Sequence, residues 1–191
     1  MFGLPPITQA LILTNVIVFF LPGMGFPLPL DKLALWPLGP NFIHWQILTY
    51  GFLHGSLAHL AFNMFGLYMF GSDIERVWGS QRFLLYYLFC VLSAALAQLV
   101  VSGVMGSLAP MVGASGGIFG LLIAFAMVYP NRMIVPLIPP IPMRAPIFVA
   151  LYGGLELFLG VTGTQSGVAH FAHLGGLVGG YLFIKLWRRR R

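Results

Sequence analysis

The stretch FLLYYLFCVLSAALAQLVVSGVMGSLAPMVGASGGIFGLLIAFAMVYPN, Phe83–Asn131, contains no Asp, Glu, Lys, Arg or His. The whole chain of 191 residues is 59% hydrophobic and only 7% charged, with a mean hydropathy of +0.91. Soluble domains carry about 25% charged residues, so this composition indicates an integral membrane protein. At ~20 residues per span, the length predicts an all-α bundle of six transmembrane helices. We expect a single membrane domain, 1–191, without a second soluble domain.

Proline, glycine and charged residues divide the sequence into six apolar segments. We predict spans at 7–22, 56–72, 82–102, 114–129, 145–161 and 168–187. The first segment has no basic leader before it and no small-residue cleavage site after it, so it is interpreted as a retained span rather than a signal peptide. The long connection 22–55 is rich in proline, glycine and aromatic residues, which favours a loop that folds at the membrane interface.

The distribution of Lys and Arg predicts the orientation of the spans. If the N-terminus is cytoplasmic, nine of the ten basic residues lie inside and only Lys32 lies outside. The positive-inside rule therefore places both termini in the cytoplasm and the long first loop outside. The basic tail 188–191 is interpreted as a cytoplasmic anchor on the lipid bilayer and not as a nucleic-acid site. These features suit a bacterial inner membrane.

Three polar residues share one expected depth on three different spans. Ser115, His59 and His173 each lie near the start of a segment that enters the membrane from the outside. At ~1.5 Å per residue, all three lie a short distance below the outer surface. A neutral imidazole that takes the proton of a serine makes that serine a nucleophile, so Ser115 and His173 form a candidate pair.

Glycines supply the close helix approach that this pair needs. Gly116-x-x-x-Gly120 and Gly176-x-x-x-Gly180 are small-xxx-small faces, which allow two helix backbones to approach in a membrane. Contact between the fourth and sixth spans would bring Ser115 close to His173.

The four acids of the chain predict a dyad rather than a triad. Asp73 and Glu75 fall on the cytoplasmic side, Asp31 lies in the outer loop, and Glu156 is expected in the middle or inner half of the fifth span. None is expected at the depth of His173. Because carboxylates are then missing near the histidines, we expect no metal site and no cofactor. A single cysteine also excludes an internal disulfide and a thiolate cluster.

Donors for a developing oxyanion are available on the second span. His59 and Asn63 are spaced i, i+4 and share one helix face. Both side chains can donate hydrogen bonds to negative charge on a tetrahedral intermediate. The backbone N–H of Ser115, at a helix N-terminus, is a third candidate.

Three motifs together resemble the rhomboid family of intramembrane serine proteases. They are HGSLAHLAFN (His54–Asn63), GASG (Gly113–Gly116) and AHLGG (Ala172–Gly176), in this order on six spans. The resemblance runs from about Trp45 to Gly180. It implies hydrolysis of peptide bonds in or near transmembrane segments of membrane-protein substrates. The roles that it implies are Ser115 as nucleophile, His173 as base, and His59, Asn63 and the Ser115 amide as oxyanion hole, with Gly113, Gly176 and Gly180 matching the family pattern.

Two positions depart from that pattern. The outer loop of relatives often carries Trp-Arg where this chain has Trp45-Gln46, so an arginine contact is absent and the loop is expected to depend on packing. Relatives often have a tyrosine four residues after the serine, where this chain has Phe119. Stacking on the imidazole is then possible, whereas a hydroxyl hydrogen bond is not.

Several alternatives remain open from the residues. His170, at i−3 from His173, could compete as the base, although the family pattern favours His173. The family also points to a movable element at the fifth span or in the segment Thr162–Val168. A non-catalytic relative that binds transmembrane helices would be expected to have lost Ser115 and His173. A transporter or channel would be expected to show an inverted repeat or polar residues across the full membrane.

Overall fold

The computed structural model describes residues 3–136, 139–163 and 169–188, the side chain of Arg188 excepted. The helices in chain order are α1 (Pro6–Phe20), α2 (Leu30–Leu33), α3 (Gln46–Thr49), α4 (Leu57–Gly66), α5 (Ser72–Trp78), α6 (Ser80–Met105), α7 (Ser115–Val128), α8 (Ala145–Thr162) and α9 (His170–Arg188). A π-helical segment, Leu67–Gly71, joins α4 to α5. Between α7 and α8, two short antiparallel strands, β1 (Met133–Ile134) and β2 (Met143–Arg144), form a hairpin. The predicted helical character is confirmed apart from this hairpin.

The six predicted apolar segments all coincide with helices. The second continues past residue 72 to Trp78, and α6 continues to Met105 instead of residue 102. Both ends follow from glycines with positive φ, Gly79 (+78°) and Gly106 (+67°), which stop a helix without the steric cost of a side chain. Among the described residues, α6 and α8 are long and apolar enough to cross a membrane, and α1 and α7 are shorter apolar helices. The basic tail from residue 189 onward lies outside the described residues.

The long first connection is folded against the bundle. Leu35 and Met111 exchange backbone hydrogen bonds of 3.0 and 2.9 Å, which tie this loop to the segment before α7. The expectation that the loop depends on packing was incomplete, because Gln46 is fully buried and makes three hydrogen bonds. Its Oε1 accepts from the Trp36 and Ile43 amides, and its Nε2 donates to a backbone carbonyl. The amide side chain therefore supplies a polar anchor within the loop.

Helices α6, α7 and α9 pack together in the centre of the protein. Where α7 meets α9, a Cβ added to Gly176 would overlap the backbone carbonyl of Gly116, and a Cβ on Gly120 would lie 3.3 Å from the Gly176 carbonyl oxygen. The backbones are thus in direct contact at these glycines. The predicted close approach of the fourth and sixth apolar segments is present, and it brings the start of α7 to the start of α9.

A buried acid joins the start of α1 to the junction between α5 and α6. Glu75 is only 2% exposed, and its carboxylate accepts hydrogen bonds from the Ile7 amide (3.0 Å), the Thr8 amide (2.7 Å), the Thr8 hydroxyl (2.7 Å) and the Ser80 hydroxyl (2.6 Å). The residue lies beyond the predicted second span. Burial alone raises the pKa of Glu75, but the hydrogen bonds from Ser80, Ile7 and Thr8 outweigh it and hold the pKa below its usual range.

We predict that Glu75→Gln lowers stability in detergent by about 2 kcal/mol at neutral pH, because an amide nitrogen would face N–H and O–H donors. The folded-state pKa lies below the ordinary value of about 4.3, so the contribution is complete above that value. It is lost as the pH falls through the folded-state pKa. Thermal unfolding should therefore show a difference between wild type and variant that is constant near neutral pH and narrows as the pH falls below about 4.3.

Asp73→Asn is the matched control, because this acid lies in the same helix and its side chain is 23% exposed. Its ion pairs with Arg76 and Arg132, at 3.4 and 3.0 Å, involve exposed partners and contribute little. Equal melting temperatures for wild type and Glu75→Gln at pH 7 would contradict the assigned role of Glu75.

Candidate active site

Ser115 and His173 lie within hydrogen-bonding distance of each other. Ser115 is the first residue of α7, and His173 is in the first turn of α9. The distance from Ser115 Oγ to His173 Nε2 is 2.7 Å, and both residues are half-buried. This geometry allows the imidazole to accept the hydroxyl proton when Nε2 is unprotonated.

Phe119 fixes the plane of the His173 ring. It lies one helical turn after Ser115, and its ring stacks on the imidazole with centroids 4.5 Å apart and an interplanar angle of 5°. Tyr152 of α8 also lies beside Phe119, with 6.0 Å between ring centroids and an interplanar angle of 37°. The stacking expected at this position is therefore present without a tyrosine hydroxyl.

The expectation that no acid lies at the depth of His173 was wrong. Glu156 Oε2 is 3.0 Å from His173 Nδ1 and 2.6 Å from His170 Nδ1. Of these two contacts, the one with His170 has the geometry of a hydrogen bond, whereas the one with the buried His173 Nδ1 does not. Glu156 is the sixth residue before the end of α8, so it lies ~9 Å below the end of that helix. His173 lies ~4.5 Å below the start of α9, and a glutamate side chain spans the difference.

The cluster of Glu156, His170 and His173 also bears on metal binding. Its three ligand-type atoms lie within 4.8 Å of one another, which corrects the premise that carboxylates are missing near the histidines. The two contacts of Glu156 Oε2, 2.6 and 3.0 Å, are shorter than the ~3.3 Å that separates two ligands of a tetrahedral zinc ion. The spacing fits hydrogen bonding between these side chains better than it fits a zinc site.

His59 and Asn63 lie on α4 and border the same cavity as Ser115. Asn63 is 5% exposed and donates through Nδ2 to the His59 carbonyl oxygen at 2.9 Å. The His59 ring lies beside Gly113, where a Cβ would come within 2.7 Å of Nε2. Gly113 has φ +130°, so both its conformation and its neighbour require glycine. The His59 ring thus borders the segment that leads into Ser115.

His54 is a neighbour of the site that sequence reasoning placed only at the interface. Its ring meets His59 edge-to-face at 5.0 Å, and both of its nitrogens are buried without a protein hydrogen-bond partner. Burial, with a smaller effect of His59, lowers the pKa of His54 to about 4. A neutral His54 therefore packs against His59 at pH 7. The only sequence signal was its position at the start of the His54–Asn63 motif.

One cavity of about 890 Å³ joins these groups. Ser115, His173, His59, Asn63 and Glu156 all border it. It continues between α4 and α8 along an apolar wall that includes Phe62, Phe65, Phe148 and Tyr152. The polar groups are therefore at one end of a space large enough for an extended peptide segment, and the rest of that space is apolar.

A comparison of the sequence with known protein families shows which family this chain matches. Residues 41–190, which include every candidate site residue, match the Rhomboid domain. The chain belongs to the rhomboid family. The rhomboid family consists of integral membrane proteins and is generally one of intramembrane serine proteases that act on transmembrane substrates.

Individual rhomboid relatives come from bacteria and from eukaryotes. The chain is 32% identical to rhomboid protease GluP of Bacillus subtilis (strain 168), over 94% of this chain and 34% of GluP. It is 30% identical to the rhomboid protein YdcA of the same strain, over 93% of this chain and 86% of YdcA. It is 33% identical to RHOMBOID-like protein 4 of Arabidopsis thaliana, over 72% of this chain and 32% of that protein. The chain therefore spans about a third of the length of GluP and most of the length of YdcA.

We predict that Gly176→Ala in this rhomboid protein separates α7 from α9 and misplaces Ser115. The new methyl group would collide with the Gly116 carbonyl, which is backbone and cannot rotate away. Reaction of Ser115 with a fluorophosphonate probe should fall at least about tenfold, because small misplacement of reacting groups costs one to two orders of magnitude in rate. Probe incorporation against time measures the effect.

Gly103→Ala on α6 is the matched control. A Cβ at this position meets nothing within 4 Å, and alanine favours a helix over glycine by about 1 kcal/mol. Its labelling should equal that of wild type. A Gly176→Ala protein that labels at the wild-type rate would argue against backbone contact at Gly176.

Proposed function

We propose that this protein is an intramembrane serine endopeptidase that hydrolyses peptide bonds in or near transmembrane segments of other membrane proteins. The observation that carries the proposal is the 2.7 Å contact between Ser115 Oγ and His173 Nε2 at the polar end of a large cavity in a rhomboid domain. In this mechanism Ser115 is the nucleophile and His173 is the general base.

The reaction follows from the positions of these atoms. His173 Nε2 takes the hydroxyl proton while Ser115 Oγ attacks the scissile carbonyl carbon. The carbonyl oxygen becomes an oxyanion, which His59, Asn63 and the Ser115 N–H stabilise by hydrogen bonds. His173 then returns the proton to the leaving amine, which gives an acyl-enzyme. Water attacks that ester with His173 again as base, releasing the acid product and free Ser115.

Access for water and substrate follows from the proposed topology. We propose a single domain with six spans, both termini in the cytoplasm of a bacterial cell, and the catalytic pair in the outer half of the membrane. A substrate helix must unwind locally, because a helical backbone keeps its carbonyls in internal hydrogen bonds. The apolar cavity wall between α4 and α8 suits such a segment. The proposed movable element Thr162–Val168 falls largely on residues 164–168, outside the described residues.

The alternative of a non-catalytic rhomboid-like protein that binds transmembrane helices has less support. A binding protein needs the apolar cavity but not a serine hydroxyl within 2.7 Å of an imidazole nitrogen. Such a protein would also not need Phe119 stacked parallel to the imidazole of His173. These contacts favour catalysis.

Active-site labelling and cleavage of a reporter test this proposal. The purified protein in detergent should react with a fluorophosphonate and should cleave a transmembrane reporter segment. Ser115→Ala should abolish both, and His173→Ala should reduce cleavage by at least about 10³-fold, because the general base is lost.

Two results would overturn the proposal. One is a wild-type protein that neither labels nor cleaves any of a panel of reporter spans reconstituted in liposomes. The other is a Ser115→Ala protein that labels as strongly as wild type. Ser93→Ala serves as the control, since Ser93 lies on α6 and its side chain packs against Gly179, away from the cavity.

A further inference from the structure

A buried carboxylate meets the imidazole of His173 on the side opposite to the serine. Ser115 Oγ is 2.7 Å from Nε2, and Glu156 Oε2 is 3.0 Å from Nδ1. The side chain of Glu156 is 10% exposed, and that of His173 is 12% exposed. The two ring nitrogens therefore face groups of opposite function, a proton donor on α7 and a proton acceptor on α8.

This placement selects the tautomer that general-base catalysis requires. A neutral imidazole carries its proton on one nitrogen only. A carboxylate beside Nδ1 favours the proton there, which leaves the Nε2 lone pair directed at the serine hydroxyl. When His173 takes the serine proton, the ring becomes positively charged, and the same carboxylate stabilises that charge. Glu156 gains and loses no proton in this process.

The second histidine holds the carboxylate in place. His170 Nδ1 lies 2.6 Å from the same Oε2 atom, and its side chain is 6% exposed. A carboxylate buried among apolar helices is costly unless it has partners, and here two imidazoles in the first turn of α9 lie 2.6 and 3.0 Å from it. Phe119 covers one face of the His173 ring, and the polar groups next to the ring are Ser115 from α7, Glu156 from α8 and His170 from α9, with His59 of α4 close enough to interact electrostatically. Among these, Glu156 is the acid.

We propose that Glu156 is a positioning residue that orients His173 and stabilises its charged form, which extends the Ser–His pair to a triad anchored by His170. The inference rests on the proposed protease function. It requires that the 3.0 Å contact at Nδ1 aligns into a hydrogen bond in the substrate complex, as catalytic hydrogen bonds commonly do.

Steady-state cleavage by Glu156→Gln tests this role. The amide keeps the size of the side chain and removes its charge, so we expect kcat to fall about 100-fold, within the range of general-base effects. KM for the reporter segment should stay within about threefold, because a residue that acts only in the transition state does not change ground-state binding. A role limited to holding α8 against α9 would instead lower the melting temperature and change KM and kcat together.

Two further variants sharpen the test. Leu157→Ala, on the exposed side of the same helix, controls for a general weakening of α8 and should keep the wild-type kcat. His170→Asn retains an N–H donor for the carboxylate, so it should lose less kcat than Glu156→Gln. Loss of kcat in His170→Asn equal to that in Glu156→Gln would overturn the direct role of Glu156 on His173.

The outcomes separate this proposal from the protease function itself. Wild-type kcat in Glu156→Gln, with Ser115→Ala inactive, overturns the triad and leaves the dyad intact. Failure of the wild type to label or cleave overturns both. If Glu156→Gln does not fold, Glu156→Asp keeps the charge one methylene further from the ring. A partial loss of kcat in Glu156→Asp supports the proposal, whereas full activity in that variant overturns it.

Discussion

Direct backbone contact between α7 and α9 is the constraint on which the site depends. The carbonyl of Gly116 occupies the space that a side chain at Gly176 would need. Hydrophobic burial does not drive helices together in lipid, so association relies on close packing and interhelical hydrogen bonds. With the backbones this close, the first residue of α7 lies beside the first turn of α9, and Ser115 Oγ reaches His173 Nε2 at 2.7 Å.

Three buried polar side chains each join separate stretches of the chain. Gln46 joins parts of the first loop, Glu75 joins α1 to α5 and α6, and Glu156 joins α8 to α9. All three side chains are buried, so an unpaired carboxylate or amide at these places would be costly. These residues therefore fix the relative positions of the segments that they join. Glu156 in this way also holds the first turn of α9, which carries His173, the base of the candidate site.

The helices could be predicted because their signals are local. Apolar length, glycine stops and prolines marked segments whose ends differ from the observed helices by a few residues, and the largest difference came from glycines with positive φ. The Ser115–His173 proximity was predictable because small-residue faces on both segments allow their backbones to approach closely. The partners of Gln46 and the ring contact of His54 depend on how a loop of more than thirty residues folds back, for which the sequence holds no periodic signal.

Glu156 shows where counting depth along a sequence loses accuracy. The count treats every span as a straight rod through a slab, so a residue six positions from a helix end is assigned to the middle of the membrane. A glutamate side chain reaches several ångströms, and the end of α8 and the start of α9 need not be level. Glu156 and His173 differ by ~4.5 Å in counted depth, which is comparable to the length of a glutamate side chain. An error of this size is enough to turn a predicted triad into a predicted dyad. For an ionisable residue within a span, the stronger argument is energetic: burial of a carboxylate demands donors, and the nearest helix with two imidazoles on one face is α9.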